Sequence, residues 1–208
     1  MRIDSMRVFY FLAAFIVFAT AATFLARGIY YPSNMTAEQP GEPGGFHSGP
    51  QPEVKVPGPF EPLNINGASA GKEECLYCRY GNAPTVMVFA SRPSENLTSL
   101  IRNLDKAAAT SGKPDDKIGA CVIVTESNPE TQAALTKIAS QENLKHVILG
   151  MLDAREVKHY KLNPEAEATV LLYSKRVVRA NHSYKPGELT LKTAEELGAE
   201  AGKFLANQ

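Results

Sequence analysis

Two cysteines three positions apart, Cys75 and Cys78, are the residues of this chain best suited to chemistry. A C-x-x-C pair can cycle between dithiol and disulfide, sit as a fixed local disulfide, or supply two of the four ligands a structural zinc needs. Reactivity turns on what stabilises a thiolate. Arg79, directly after the pair, is the candidate supporting cation, whereas Glu73 and Glu74 oppose a thiolate through like charge. Tyr77 and Tyr80 are placed to cover the sulfurs partly. The metal reading lacks further ligands, because His47, His146, His159 and His182 show no paired spacing. Haem attachment would need a histidine where Arg79 stands. Cys121 lies among Ala120, Val122 and Ile123 and reads as a small apolar core residue. Cys75 and Cys78 are therefore expected to be mutual partners and Cys121 to be unpaired.

The compartment decides how such a pair behaves. Val8 to Ala26 is apolar apart from Thr20 and Thr23 and follows Arg2 and Arg7. It is about 19 residues long, close to the ~20 that cross a bilayer as a helix. Residues 1–31 are therefore expected to be a transmembrane anchor or a signal peptide, the latter with Ala19-Thr20-Ala21 as its small-residue cleavage site. Either places the remainder outside the cytoplasm, membrane-anchored or secreted (in the periplasm of a bacterium), where a disulfide persists. Formal net charge is +0, from 22 basic and 22 acidic residues. No Lys/Arg run stands out, so no nucleic-acid partner is expected. No cofactor is expected either.

Residues 32–70 are rich in proline and glycine, from Pro32 through Pro62. Proline favours extended backbone and glycine loosens it, and the segment is expected to be a disordered linker. The globular domain is expected over 71–208. Within it Thr85–Ala90, Ile118–Val124, Val147–Leu152 and Ala168–Tyr173 are apolar, β-branched runs that predict buried strands. A hairpin at Ser174-Lys175 leads to a fifth strand. Helices are predicted after Ser94, after the Asn128 cap with Pro129 at the first position, and from about Thr190 to Ala206. Leu97, Leu100, Ile101 and Leu104 form an apolar face on the first, and Thr193 with Glu196 offers a capping box on the last. A short helix follows Asp153. The order β-α-β-α-β-α-β-β-α predicts an α/β fold with parallel crossovers and an antiparallel edge.

This order, ending in strand–turn–strand–helix, resembles the thioredoxin superfamily. The added stretch Glu130 to Leu152 resembles its peroxiredoxin-like branch, which includes membrane-tethered extracytoplasmic thiol reductases. His146-Val147-Ile148-Leu149 through Asp153 is similar to that branch's inserted strand. Val157 to Leu162 is similar to its following helix end, and Thr169-Val170-Leu171-Leu172 to its next strand. The resemblance implies a thioredoxin-like fold with a mostly parallel central sheet flanked by helices and a terminal antiparallel hairpin. It implies thiol–disulfide exchange with a protein thiol or disulfide partner.

Two departures bear on the activity. The loop after the first strand, where the family carries W-C-x-x-C, reads Ser91-Arg92-Pro93-Ser94-Glu95, and Ala168 stands where the family has a cis-proline. A non-proline cis bond costs about 3 kcal/mol, so a trans peptide is expected at Ala168. Two functions follow for the C-x-x-C: a relocated redox centre in an exported thiol–disulfide oxidoreductase, or a structural disulfide in a non-catalytic binding or scaffold module.

Overall fold

A computed structural model describes residues 45–111 and 118–207. The apolar segment at 1–31 and the first part of the expected linker lie outside the described residues. The described elements are β1 (Leu63–Asn64), α1 (Leu76–Tyr80), β2 (Thr85–Ala90), α2 (Glu95–Ser111), β3 (Gly119–Val124) and α3 (Pro129–Gln141). They continue as β4 (Ile148–Met151), a 3-10 segment (Ala154–Tyr160), β5 (Ala168–Ser174), β6 (Val177–Tyr184) and α4 (Leu191–Ala206). The strands form one six-stranded sheet in the order β1-β4-β3-β2-β5-β6.

β2, β3 and β4 are parallel neighbours and step across the sheet in one direction. Right-handed crossovers that move the same way put their helices on the same face. Accordingly Leu97, Leu100, Ile101 and Leu104 of α2 and Leu135 of α3 share one core with Val86, Val88, Val122 and Leu149. Ala194, Leu197, Ala201 and Leu205 of α4 complete it. The expectation of parallel crossovers is corrected at the last one, because β5 runs antiparallel to β2 with Ala90 opposite Ala168. A parallel return needs a crossover that travels back along the sheet, usually as a helix. The seven-residue 3-10 segment makes no such journey, and the chain enters β5 at the end of the sheet where β2 finishes.

β2 and β3 are buried at every position, so the second face needs a cover too. That face presents Met87, Phe89, Cys121, Ile123, Leu171 and Tyr173. It is closed by Leu76 of α1, by Val157 and Tyr160 of the 3-10 segment, and by Val56 and Phe60. The last two fall in the expected disordered linker, which is corrected here: residues 46–66 form an ordered strap. Its backbone bonds to the outer side of β6 (Glu53 N to Val178 O, 2.9 Å; Val178 N to Val54 O, 2.9 Å; Val56 N to Arg176 O, 2.9 Å). Phe60 then packs on Phe89 and Tyr160, with ring centroids 5.6 and 5.5 Å away. The Tyr160 hydroxyl donates to Gly58 O at 2.8 Å. Prolines favour this role as much as a linker's, since a strap needs extended backbone and few donors.

Local signals set the boundaries. Ser94 Oγ accepts from Leu97 N at 3.1 Å and caps α2, and Asn128 Oδ1 accepts from Thr131 N at 2.8 Å and caps α3. The cap of α4 differs from the expected Thr193–Glu196 box: Thr190 and Thr193 exchange the bonds. Glu196 lies one turn past Lys192 instead, 3.7 Å from its ammonium. His182 is half-buried and pairs with Glu200 at 3.0 Å.

Candidate functional site

The C-x-x-C lies on the short helix α1, at the ends of β2 and β3 where those strands begin. Two anchors hold it there. Leu76 is fully buried in the second core, and Tyr80 reaches over β3 to donate its hydroxyl to Ala120 O at 3.2 Å. Gly119 makes the approach possible. A Cβ there would stand 2.6 Å from Tyr80 Cγ and 2.5 Å from Thr85 Oγ1. Gly81, at φ 57°, ends the helix and turns the chain into β2.

Cys75 and Cys78 are joined in a disulfide with Cα atoms 5.2 Å apart, within the usual range for a bridge. Cys75 occupies the cap position of α1, and its Sγ accepts the backbone N–H of Cys78 at 3.1 Å. Cys75 is half-buried and Cys78 is exposed. Cys121 is free and fully buried, as expected from its apolar neighbours, and burial pushes its thiol far up in pKa. The sulfurs therefore form one surface pair and one inert core thiol. Among the described residues no three His, Cys, Asp or Glu side chains are grouped to hold a metal ion.

Arg79, the expected supporting cation, donates to Glu74 Oε2 at 2.9 Å. Glu74 is fixed in turn by Asn64 Nδ2, which donates to the same oxygen at 3.1 Å. The two charges flanking the pair thus neutralise each other. A second cation was not foreseen: the Arg176 guanidinium lies 4.7 Å from the centre of the Tyr77 ring, between the two cysteines in sequence. It is brought there by the β5–β6 turn, where Lys175 and Arg176 both adopt positive φ (53° and 61°) and Lys175 N donates to Asn82 O at 2.9 Å. The hairpin was legible in sequence, although its turn is Lys175-Arg176 and not the expected Ser174-Lys175, and its neighbour across space was not legible.

No family model matches this chain, and no curated protein matches it in sequence. Solved structures do match. An uncharacterised conserved protein from Geobacillus kaustophilus aligns over 81% of this chain and 89% of its own, at TM-score 0.54 and 16% identity. A candidate protein disulfide isomerase from Bacteroides thetaiotaomicron covers 76% and 95%, at 0.52 and 13%. The peroxidoxin BcpB of Mycobacterium tuberculosis covers 76% and 97%, at 0.51 and 15%. The fold is thioredoxin-like. At such identities the likeness concerns architecture alone, and this thioredoxin-like domain has to be read from its own residues.

Its opposite end is the informative contrast. Where β2 and β3 finish, a cleft of about 460 Å³ opens between Ser91, Thr125, Lys158, Asn163 and Thr169, with Phe89 in its floor. This is the end at which open α/β sheets usually bind ligands, and where the resemblance would have placed the redox loop. No cysteine lines it. Ser94 is occupied in capping α2, and no described peptide bond is cis, Ala168 included. The strap reaches this cleft: Ser48 Oγ accepts from Asn163 N at 2.9 Å and from Thr169 Oγ1 at 2.5 Å. The Cys75–Cys78 disulfide thus stands at the far end of the sheet from that cleft. Among the described residues no helix is long and apolar enough to cross a membrane.

Proposed function

We propose that this protein is an exported thiol–disulfide oxidoreductase that works through Cys75 and Cys78 on a protein thiol or disulfide partner. The observation that carries the reading is the placement of the pair. It lies at the surface, with Cys78 exposed, and it closes a ring of only four residues that fastens no distant elements together. Ring closure of that size adds only about 2 kcal/mol by chain entropy. A disulfide that adds so little stability, open to solvent, suits exchange better than stapling. The apolar Val8–Ala26 segment supports an extracytoplasmic address, where such a pair can be oxidised and re-reduced. Arg79 would support the site by holding Glu74, whose carboxylate would otherwise face a developing thiolate unpaired.

The test is a titration against glutathione buffers, with alkylation of free thiols read by mass. Cys75 and Cys78 should convert together between disulfide and dithiol, while Cys121 stays unlabelled until the protein is unfolded. A pair that stays oxidised against strong reductant would end the proposal.

A second reading draws on a different observation. Leu76 and Tyr80 tie α1 to the core, and the loop after β2 has no cysteine. The disulfide would then rigidify α1 in a non-catalytic binding or scaffold module. In that case Cys75→Ala would cost clearly more than the ~2 kcal/mol of ring closure, and no exchange would be detected.

A further inference from the structure

We propose that the two sulfurs are not equivalent and that the pair works with a fixed polarity: an incoming thiolate attacks Cys78, and Cys75 leaves. This rests on the redox reading above and adds to it the identity of the partner-bearing cysteine. Which sulfur of a disulfide is attacked depends on access and on how well the other sulfur carries the departing charge. Both criteria select the same direction here. Cys78 is exposed. Cys75 is half-buried, next to the fully buried Leu76 that holds this edge of α1 on the core. Cys75 Sγ also receives the Cys78 N–H at 3.1 Å. That donor is a backbone group held by the helix, so it is already in place when negative charge arrives on Cys75. The sulfur of Cys78 receives no hydrogen bond of this kind among the described contacts of α1.

The chemistry balances as follows. A thiolate of a dithiol partner attacks Cys78 Sγ along the S–S axis. A partner–Cys78 disulfide forms, the Cys75–Cys78 bond breaks, and its electron pair leaves on Cys75 as a thiolate that keeps the Cys78 N–H bond. The partner's second thiolate then attacks the partner sulfur of the mixed disulfide. The partner disulfide forms, Cys78 leaves as a thiolate and takes a proton from water, and two electrons have passed from partner to protein. In the opposite direction the same path has Cys78 attack a partner disulfide and Cys75 resolve the product.

The oxidised full-length protein should be mixed with excess glutathione, quenched with acid at a series of early times, alkylated and mapped by peptide mass. Extrapolated to zero time, glutathione should be found on Cys78 with Cys75 alkylated, in roughly tenfold or greater excess over the reverse pattern, given that access and leaving group act together. A majority of adduct on Cys75, or equal amounts on both, would overturn the assigned polarity while leaving the redox reading intact. A disulfide that forms no adduct and no dithiol would sink the redox reading, and this assignment with it.

Discussion

Replacing Phe60 with alanine tests whether the segment before the first long strand is structural. Phe60 is 4% exposed and packs its ring against Phe89 at 5.6 Å and Tyr160 at 5.5 Å. Truncating a buried phenylalanine costs about 3–5 kcal/mol, as lost transfer energy plus the cavity left behind. Two aromatic pairs at about 0.5–1.5 kcal/mol each place this site in the upper half of that range. Some relief is available, because the strap is a surface element and can settle into the gap. A net loss of about 3–4 kcal/mol is therefore expected. With a urea dependence of about 2 kcal/mol per M, the midpoint should fall by roughly 1.5–2 M. The chain has no tryptophan, so far-ultraviolet circular dichroism is the suitable probe. Val54→Ala, at a side chain 50% exposed on the same strap, is the control and should stay within about 0.5 kcal/mol. If the two variants lose the same small amount, the strap is dispensable and the argument that the second sheet face needs it is wrong.

Other expectations follow from single contacts. Gly119→Ala puts a methyl against Tyr80 and Thr85, so it should cost about 1–3 kcal/mol as overpacking and speed reduction of the Cys75–Cys78 pair by loosening α1; unchanged stability in urea would show that Tyr80 moves aside freely. The hydrogen bond from His182 holds the Glu200 carboxyl below its ordinary value of 4.5. A depressed folded-state value means the carboxylate's contribution is complete above about pH 4.5 and is lost as the pH falls through the folded-state pKa. Thermal midpoints should therefore decline on that acid limb, modestly because the Glu200 side chain is 43% exposed, and His182→Asn should flatten the decline. An identical acid limb in the variant would refute the pairing's role.

The sequence was most legible where burial and periodicity agree. Leu97, Leu100, Ile101 and Leu104 repeat at helical spacing and do face the sheet, and the strands at Thr85–Ala90 and Gly119–Val124 are apolar at nearly every position because both their faces are covered. That second fact held information left unused. Crossovers of one hand that step the same way across a sheet supply helices to a single face, so strands apolar on both faces then demand another cover. Val56 and Phe60 were the apolar residues left to provide it. Proline and glycine content hid them, since composition cannot distinguish an extended chain in solvent from one laid along a strand edge. The cysteine pairing was readable because spacing alone limits which sulfurs can meet, and the apolar run around Cys121 excludes it. The surroundings of the pair were not readable. Arg176 comes from a turn nearly a hundred residues away in sequence, and the hold of Asn64 and Glu74 on Arg79 depends on the strap, whose order was itself missed.

One N-terminal stretch thus does two tasks that the sequence made look separate. Val56 and Phe60 help close the second face of the sheet, and Leu76, on the helix that carries the disulfide, continues that cover. Leu76 shares its core with Val56, Phe60 and Tyr160, so the helix that bears the disulfide and the strap that precedes it rest on one packed cluster. A redox loop placed after β2 would have stood on the rigid sheet end beside the cleft. Placed on α1, the pair stands instead on a cover that is held by two side chains, Leu76 and Tyr80, and by a local bridge. Opening that bridge would leave every ladder hydrogen bond of the sheet in place, since the ring it closes contains no strand residue. On the redox reading proposed above, the chemistry would sit on the part of this thioredoxin-like domain whose change of state disturbs the sheet least.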